Sequence, residues 1–449
     1  MSSNNQPRLL LINPVNPART GLTINESSRF PPLGLGIIAA LTPDNWGVTL
    51  IDENWETHKF QPADLVGITA FTASACRAYA IASEYRRAGI PVVLGGIHAS
   101  MCPQEALRYV DAVVIGEAEA VWPQVLEDFR AGRMKQIYRG EWQDLTQTVV
   151  PRRSLFHPGY NFASIQTSRG CPMNCDFCSV TAFNGRRYRR RPPEDVLAEL
   201  ETIPQKMLFF VDDNIIGYSR EDRETAKTLF REMADHHLDK LWFCQASINF
   251  ADDEELLYWA GKAGCKMVFL GLEAEHDQPL REVKKKLNLS RGVDSYREAF
   301  RRIHKAGIAV LGAFIFGMDS DTPGLLDLRT RYMIRSDVDV MQTTTLTPLP
   351  GTDLFARLEE EARLLYTNHP EDWDHFDMTE VTYQPAQMSP AELSESTIRN
   401  NRKMYAAPVL ARKALRTFLT TRDPMAAMFA WHSNQNYRNV ALHTPQGKR

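Results

Sequence analysis

The chain of 449 residues lacks any apolar run near the ~20 residues that a membrane-crossing helix needs, so no membrane span is expected. Its first residues, M-S-S-N-N-Q-P-R, lack the cationic start and apolar core of a signal peptide. An excess of one charge is also missing. A net charge of −3 gives no general reason to expect nucleic acid or an acidic membrane as partner. Seven cysteines, an odd number with three of them clustered, speak against a disulfide framework. Together these absences predict a reducing, cytoplasmic setting. Internal repeats and low-complexity segments are absent as well. What remains is a globular composition, 43% hydrophobic and 24% charged, in a chain long enough for two or three domains.

The chain is organised around Thr167 to Val180, T-S-R-G-C-P-M-N-C-D-F-C-S-V, which follows a strand-like run from Phe162 to Gln166. Cys171, Cys175 and Cys178 lie within eight residues, close enough for three thiolates to serve one centre. Soft thiolates favour an iron–sulfur cluster, zinc or Cu(I) over hard cations. A closed zinc or cluster site wants a fourth ligand, and the next cysteine is the distant Cys244. Three ligands on a cubane would leave one iron open to a small molecule. The motif resembles the signature of radical S-adenosylmethionine (SAM) enzymes, in which SAM chelates that open iron. The aromatic Phe177 before the last cysteine fits the same signature.

Upstream, short apolar runs at Arg8–Asn13, Val48–Ile51, Leu65–Thr69, Val92–Leu94 and Ala112–Ile115 alternate with helix-like segments. That alternation predicts a parallel, doubly wound sheet, whose ligands bind at the carboxyl ends of its strands. Those ends carry Asn13, Thr69, Gly95, Gly96, His98, Gly116 and Glu117. With P-P-L-G-L-G-I-I-A-A-L (Pro31 to Leu41), G-G-I-H (Gly95 to His98) and G-E-A-E (Gly116 to Glu119), this region resembles the Rossmann-like cobalamin-binding domain of one large radical SAM class. The resemblance implies cobalamin contacts at those seven residues. A D-x-H-x-x-G signature, which gives cobalt a histidine in many cobalamin proteins, is missing after the first strand.

Downstream, five further apolar runs separated by helical patterns complete six β/α units, matching the partial (β/α)6 barrel of the radical SAM family. The resemblance places SAM contacts at Asp213 (amino group), Gln245, Glu273 (ribose) and Gly317 (backbone along adenine), beside Phe177. The run Arg186 to Arg191 reads either as a solvated face or as an attractor of anions. Cys244 and Cys265 read as buried thiols. From Leu354 onward the pattern is helical and aromatic, and in this class such a region commonly caps the barrel and shapes the substrate pocket.

The predicted organisation is therefore α/β: a Rossmann-like domain over residues 1–139, a linker over 140–160, a radical SAM barrel over 161–353 and a mostly helical C-terminal region over 354–449. The resemblance implies a [4Fe–4S] cluster, SAM and cobalamin as cofactors, and reductive cleavage of SAM to a 5′-deoxyadenosyl radical. It implies methylation of an unactivated carbon in a small-molecule or lipid-like substrate, with electrons from a flavodoxin or ferredoxin. Radical rearrangement, cyclisation or oxidation without methyl transfer is the first alternative. A metal-stabilised binding protein without catalysis is the second.

Overall fold

The computed structural model describes residues 6–18 and 24–443. The frayed tail expected at T-P-Q-G-K-R lies outside them.

The chain opens with β1 (Arg8–Asn13), α1 (Leu33–Leu41), β2 (Gly47–Asp52), β3 (Leu65–Thr69) and α2 (Ala75–Arg87). There follow β4 (Val92–Gly95), two short helices α3 (Ile97–Met101) and α4 (Pro103–Ala106), β5 (Ala112–Gly116), α5 (Trp122–Arg130) and β6 (Ile137–Gly140). All six strands are parallel, in the order β2-β1-β3-β4-β5-β6. The sequence β1 R-L-L-L-I-N shows why such a strand sits at the centre. Leu10 and Ile12 pack into one apolar layer with Tyr79 and Tyr85 of α2, while Leu9 and Leu11 pack into the other with α1 and α5. A strand buried on both faces reads as an unbroken apolar run. The sixth strand was not expected. Its polar I-Y-R-G carries only one fully buried side chain, Tyr138, as suits an edge.

The linker is not loose. Arg153 donates to Ser164 O at 2.8 Å and to Glu199 Oε1 at 2.5 Å, and Trp55 stacks on His157 with ring centres 4.7 Å apart. Tyr160 donates to Asp52 and accepts from Asn54 Nδ2 at 3.0 Å. These contacts hold the first sheet against the second.

The second sheet begins with β7 (Phe162–Ile165). A small antiparallel ribbon, β8 (Ser168–Arg169) and β9 (Arg189–Arg190), flanks the cysteine loop and α6 (Ser179–Asn184). Then come α7 (Pro193–Thr202), β10 (Met207–Phe210), α8 (Arg220–Asp235), β11 (Leu241–Ala246), α9 (Glu254–Lys262) and β12 (Cys265–Glu273). After α10 (Asp277–Glu282), α11 (Lys286–Arg291) and α12 (Tyr296–Lys305), β13 (Ala309–Phe316), α13 (Pro323–Arg335) and β14 (Val340–Thr345) close the set. The order β14-β13-β12-β11-β10-β7, all parallel, is the expected open six-stranded barrel. Strand alternation divides its side chains between two clusters. Leu208, Phe210, Cys244, Val268 and Val310 face the helices; Met207, Phe243, Phe269, Leu311 and Val340 face the lumen. A 3-10 turn over Val293–Ser295 precedes α12, and no side chain caps that helix.

The C-terminal region divides its work. Helix α14 (Asp353–Glu360) stops before Ala362, which adopts a left-handed φ of 53°. From there a segment without long helices runs over the carboxyl ends of the strands: Met378 O accepts from Thr345 N, Tyr383 donates to Gly317 O, and Trp373 donates to Glu105 of the first domain at 3.0 Å. The last helices, α15 (Pro390–Met404), α16 (Ala407–Thr421) and α17 (Pro424–His443), do something else. Phe429 and Ala430 of α17 join Met267, Ala309 and Val340, residues at or near the amino ends of their strands, so α17 closes the barrel floor rather than its mouth. Ser389 starts α15 with a reciprocal capping box to Glu392. Among the described residues no helix is long and apolar enough to cross a membrane.

Candidate active site

The carboxyl ends of the two sheets face each other across the cysteine loop. Glu117, which follows β5, is buried and pairs with Arg189 at 2.6 Å and Arg169 at 3.1 Å, and Arg169 also pairs with Glu119 at 2.6 Å. Burial alone would raise the Glu117 pKa, but the two guanidiniums and the Gln143 N–H hold it below its ordinary value. Arg190 pairs with Glu221 and Asp222, and Arg191 with Glu199. The arginine run divides: Arg186 and Arg187 are exposed, while the guanidiniums of Arg189, Arg190 and Arg191 are spent on locking the ribbon beside the loop to the helices and to the first domain. Glu117, expected at the cobalamin, is committed to this lock.

The loop itself is held from below by paired carboxylates after β10. Asp212 is fully buried and accepts from Thr167 N, Thr167 Oγ1 and Ser168 Oγ at 2.6–2.9 Å; burial pushes its pKa up to about 6 against those donors. Asp213 uses one oxygen, Oδ2, to accept from Gly170 N at 3.3 Å and Asn184 Nδ2 at 3.1 Å. Phe177 packs with Val283, Ile315 and Met318 and anchors the loop from the other side.

Cys171, Cys175 and Cys178 are half-buried and unpaired. Burial raises the thiol pKa of Cys175, and pushes that of Cys178 up to about 12; Cys178 also feels Cys175 and Cys171 as neighbouring charges. Cys171 Sγ lies 3.1 Å from Tyr218 Oη, which in turn lies 3.2 Å from Ser247 Oγ. Among the described residues no three His, Cys, Asp or Glu groups already surround a single ion position. A cubane binds each cysteine at a different iron, so three neighbouring thiols from one loop fit it as a donor set.

Around the lumen mouth, Gln245 lies on the same face of β11 as Phe243, toward the interior. Glu273 ends β12 with a left-handed φ of 64° and is paired with Lys285 at 2.6 Å. Gly317 N–H donates to Asp321 at 2.9 Å and its carbonyl accepts from Tyr383.

On the facing sheet, Asn13 Nδ2 donates to Asp52 at 2.8 Å. Gly96 needs its φ of 92°, since a Cβ there would come within 2.7 Å of Thr69 Oγ1. Gly116 likewise serves its neighbours: a Cβ would meet Gly140 O, and its N–H takes Ser100 Oγ at 3.0 Å. His98, expected at the cobalamin, is a correction: it is fully buried, with Tyr79 Oη 3.0 Å and Glu105 3.3 Å from Nε2 and Thr72 Oγ1 3.4 Å from Nδ1, so it presents no surface to a cofactor. The open surface at these strand ends instead offers Asn13, Thr69, Gly95 and the 70% exposed Phe71. Such a set would suit the edge of a flat macrocycle.

Sequence reasoning gave Asp212 no role of its own and missed Tyr218, Arg169 and Lys285. Tyr218 follows Asp213 in the same strand-to-helix loop and was within reach of the strand-end rule; Lys285 was hidden in the ordinary-looking run Lys284 to Lys286.

Comparison with known proteins agrees with this arrangement. The Radical SAM superfamily model matches residues 165–328 and the B12 binding domain model matches residues 20–126. The chain is 26% identical over 426 residues to the bacteriochlorophyllide d C-12(1)-methyltransferase of Chlorobaculum tepidum, covering 90% of this chain and 88% of that protein. It is 28% identical over 354 residues to the hopanoid C-2 methylase of Rhodopseudomonas palustris, covering 76% and 66%. Among solved structures, the radical SAM methyltransferase TsrM from Kitasatospora setae, with cobalamin and a [4Fe-4S] cluster bound, superposes with a TM-score of 0.71 over 98% of this chain and all of that one, at 15% identity. At that identity the likeness is one of fold.

Proposed function

We propose that the chain is a member of the radical SAM superfamily, in the class that carries a B12-binding domain ahead of the barrel, and that it methylates an unactivated carbon of a small-molecule or lipid-like substrate. The observation that carries this reading is the pairing of the two domains: both sheets turn their carboxyl ends toward one cysteine loop and are clamped there by Glu117, Glu119, Arg169 and Arg189. When bound, a [4Fe–4S] cluster would supply the electron that splits SAM into methionine and a 5′-deoxyadenosyl radical, and cobalamin would carry the methyl group.

This chain's residues do the rest. Cys171, Cys175 and Cys178 hold the cluster, with Phe177 packing the loop in place. Asp213 keeps one carboxylate oxygen outside its two loop contacts, which suits an ammonium group. Gln245 and Glu273 stand at the lumen mouth for the polar edge of SAM. Asn13, Thr69, Gly95 and Phe71 line the facing cofactor surface.

The substrate class is argued from the lumen wall. Phe209 and Phe243 stack with ring centres 4.4 Å apart, Phe30 leans on both, and Phe269 stands nearby; all four are partly exposed, the three strand residues on the lumen side. Half-buried rings without a polar partner favour an apolar molecule. Relatives that act on a bacteriochlorophyllide and a hopanoid support the same class. A reducing cytoplasm and a flavodoxin- or ferredoxin-type donor complete the reading.

The test is anaerobic reconstitution of the full chain with iron, sulfide and cobalamin, then reduction with SAM. Retained corrinoid, with both 5′-deoxyadenosine and S-adenosylhomocysteine formed, is the expected result. 5′-Deoxyadenosine without S-adenosylhomocysteine would move the enzyme to the non-methylating alternative. A wild type that cleaves SAM no faster than the triple cysteine-to-alanine variant would overturn the reading altogether.

A further inference from the structure

Helix α16 packs inside out. Its buried residues are Leu410, Lys413, Thr417 and Thr421, one apolar side chain and three polar ones. Lys413 Nζ donates to Met333 O at 2.7 Å, Ser336 O at 3.0 Å and Val338 O at 2.6 Å, around the carboxyl end of α13. Thr417 Oγ1 donates to Asp339 Oδ1 at 2.7 Å. These bonds fix the helix by its polar side. The other side carries Leu415, Phe418 and Leu419, which the three- and four-residue spacings bring onto one face; they are 60%, 46% and 64% exposed. Residues of this kind ordinarily form the stripe that a surface helix buries. Along α16 packs α17, which exposes Met428 and Trp431 as well.

Basic residues border this face. The two helices and their turn hold five lysines and arginines against one acid, Asp423, which is paired with Lys266; the net charge of −3 over the whole chain hides this asymmetry. Beside α16 runs a groove against α12 and α13, lined by Arg297, Leu328, Arg331, Arg335, Asp337 and Arg416. Arg416, from α16 itself, takes up Asp337. Arg297, Arg331 and Arg335 are exposed and have no carboxylate partner among the described residues, and the same holds for Arg422 at the end of α16. Leu328, also exposed, stands among them.

We propose that α16 docks the enzyme on the surface of an anionic lipid bilayer: Leu415, Phe418 and Leu419 enter the headgroup region, and Arg331, Arg335 and Arg422 pair with lipid phosphates. An interfacial helix binds through just this combination, apolar side chains laid among the acyl chains and cations held at the phosphates. Guanidiniums free of carboxylates have the donor geometry that phosphate oxygens require. A protein partner fits the face less well, since three side chains on one helix fall far short of the roughly 800 Å² per side that a stable interface buries. Docking would bring the barrel to the place where apolar, lipid-like molecules reside, but it stands independently of the substrate reading, because it needs neither cofactor nor substrate.

The experiment is flotation of the full chain with vesicles, as wild type, as the triple variant Leu415→Ser, Phe418→Ser, Leu419→Ser, and as the double variant Arg331→Gln, Arg335→Gln. Every replaced side chain is exposed and without a polar partner, and circular dichroism checks that the variants fold. Wild type is expected to float with mixed phosphatidylcholine–phosphatidylglycerol vesicles, far less with pure phosphatidylcholine, and less in both cases as salt rises. The serine variant is expected to remain unbound. The glutamine variant should partition about 25-fold less than wild type, roughly fivefold for each arginine. A wild type that does not float with the anionic vesicles, or floats equally with both kinds, overturns the proposal. So does either variant that floats like the wild type. A wild type found dimeric by light scattering, with the serine variant monomeric, would assign the face to a second copy of this chain and overturn it too.

Discussion

The clamp between the two domains makes a quantitative prediction. Glu117 and Arg189 side chains are 3% and 8% exposed and meet at 2.6 Å, so solvent screens them little. Two unit charges centred about 4 Å apart attract by roughly 4 kcal/mol at an effective dielectric near 20. Removing one partner of a buried pair costs about 3–5 kcal/mol, because the other is left uncompensated. Glu117→Ala strands Arg189 with only the carbonyls of Gln143 and Asn184, while Arg169 keeps Glu119; Arg189→Ala leaves Glu117 with Arg169 and the Gln143 N–H. Those residual partners place each single variant near the lower end, about 3 kcal/mol. The double variant removes both charges and should cost about the same as either single, giving a coupling of about 2–3 kcal/mol. Urea unfolding of the apo chain, followed by circular dichroism and tryptophan fluorescence, measures all four corners of the cycle. A double variant whose cost equals the sum of the singles, within about 0.5 kcal/mol, would refute the clamp.

Other consequences follow from the same contacts. Because Glu117 is held below its ordinary pKa of 4.5, its contribution is complete above that pH and lost as pH falls through the lowered value; acid titration of unfolding should show this loss in wild type and not in Glu117→Ala. His304 behaves in the opposite sense. Burial pulls its pKa down, but Asp339, 2.7 Å away, holds it above the ordinary 6.5, so its stabilisation is full below that value and fades as pH rises through the raised one. A His304→Gln variant should lose that alkaline-side decline in melting curves. Gly96→Ala forces a Cβ against Thr69 and Ala70 at φ 92°, and should cost about 1–3 kcal/mol in urea unfolding and reduce the corrinoid retained after gel filtration. Replacing Cys171, Cys175 and Cys178 by alanine should abolish the iron and sulfide taken up on reconstitution, with circular dichroism unchanged.

Much of the molecule is written locally. The C-x3-C-x2-C loop, the unbroken apolar strands and the helices between them follow from periodicity and composition, and they fixed the fold class, the two parallel sheets and the three thiols before any coordinates. The polar strand ends at Asp213, Gln245 and Glu273 were legible for the same reason, since a parallel sheet presents its carboxyl ends to ligands. What the pattern did not show was the partners. His98 and Glu117 sit where it predicts ligand contacts, yet Tyr79 and Glu105, and Arg169 and Arg189, take them up. Tyr79 and Glu105 stand on other helices and the two arginines in the other domain, and periodicity carries no information on pairing between elements. The arginine run shows the same limit, as does α17, whose aromatic side chains close the barrel floor. Sequence alone determined the cysteine loop and the polar strand ends, and which element each belongs to. Only the tertiary structure decided which of them remain free, because a buried charge or hydrogen-bonding group takes whatever complement the fold brings within reach.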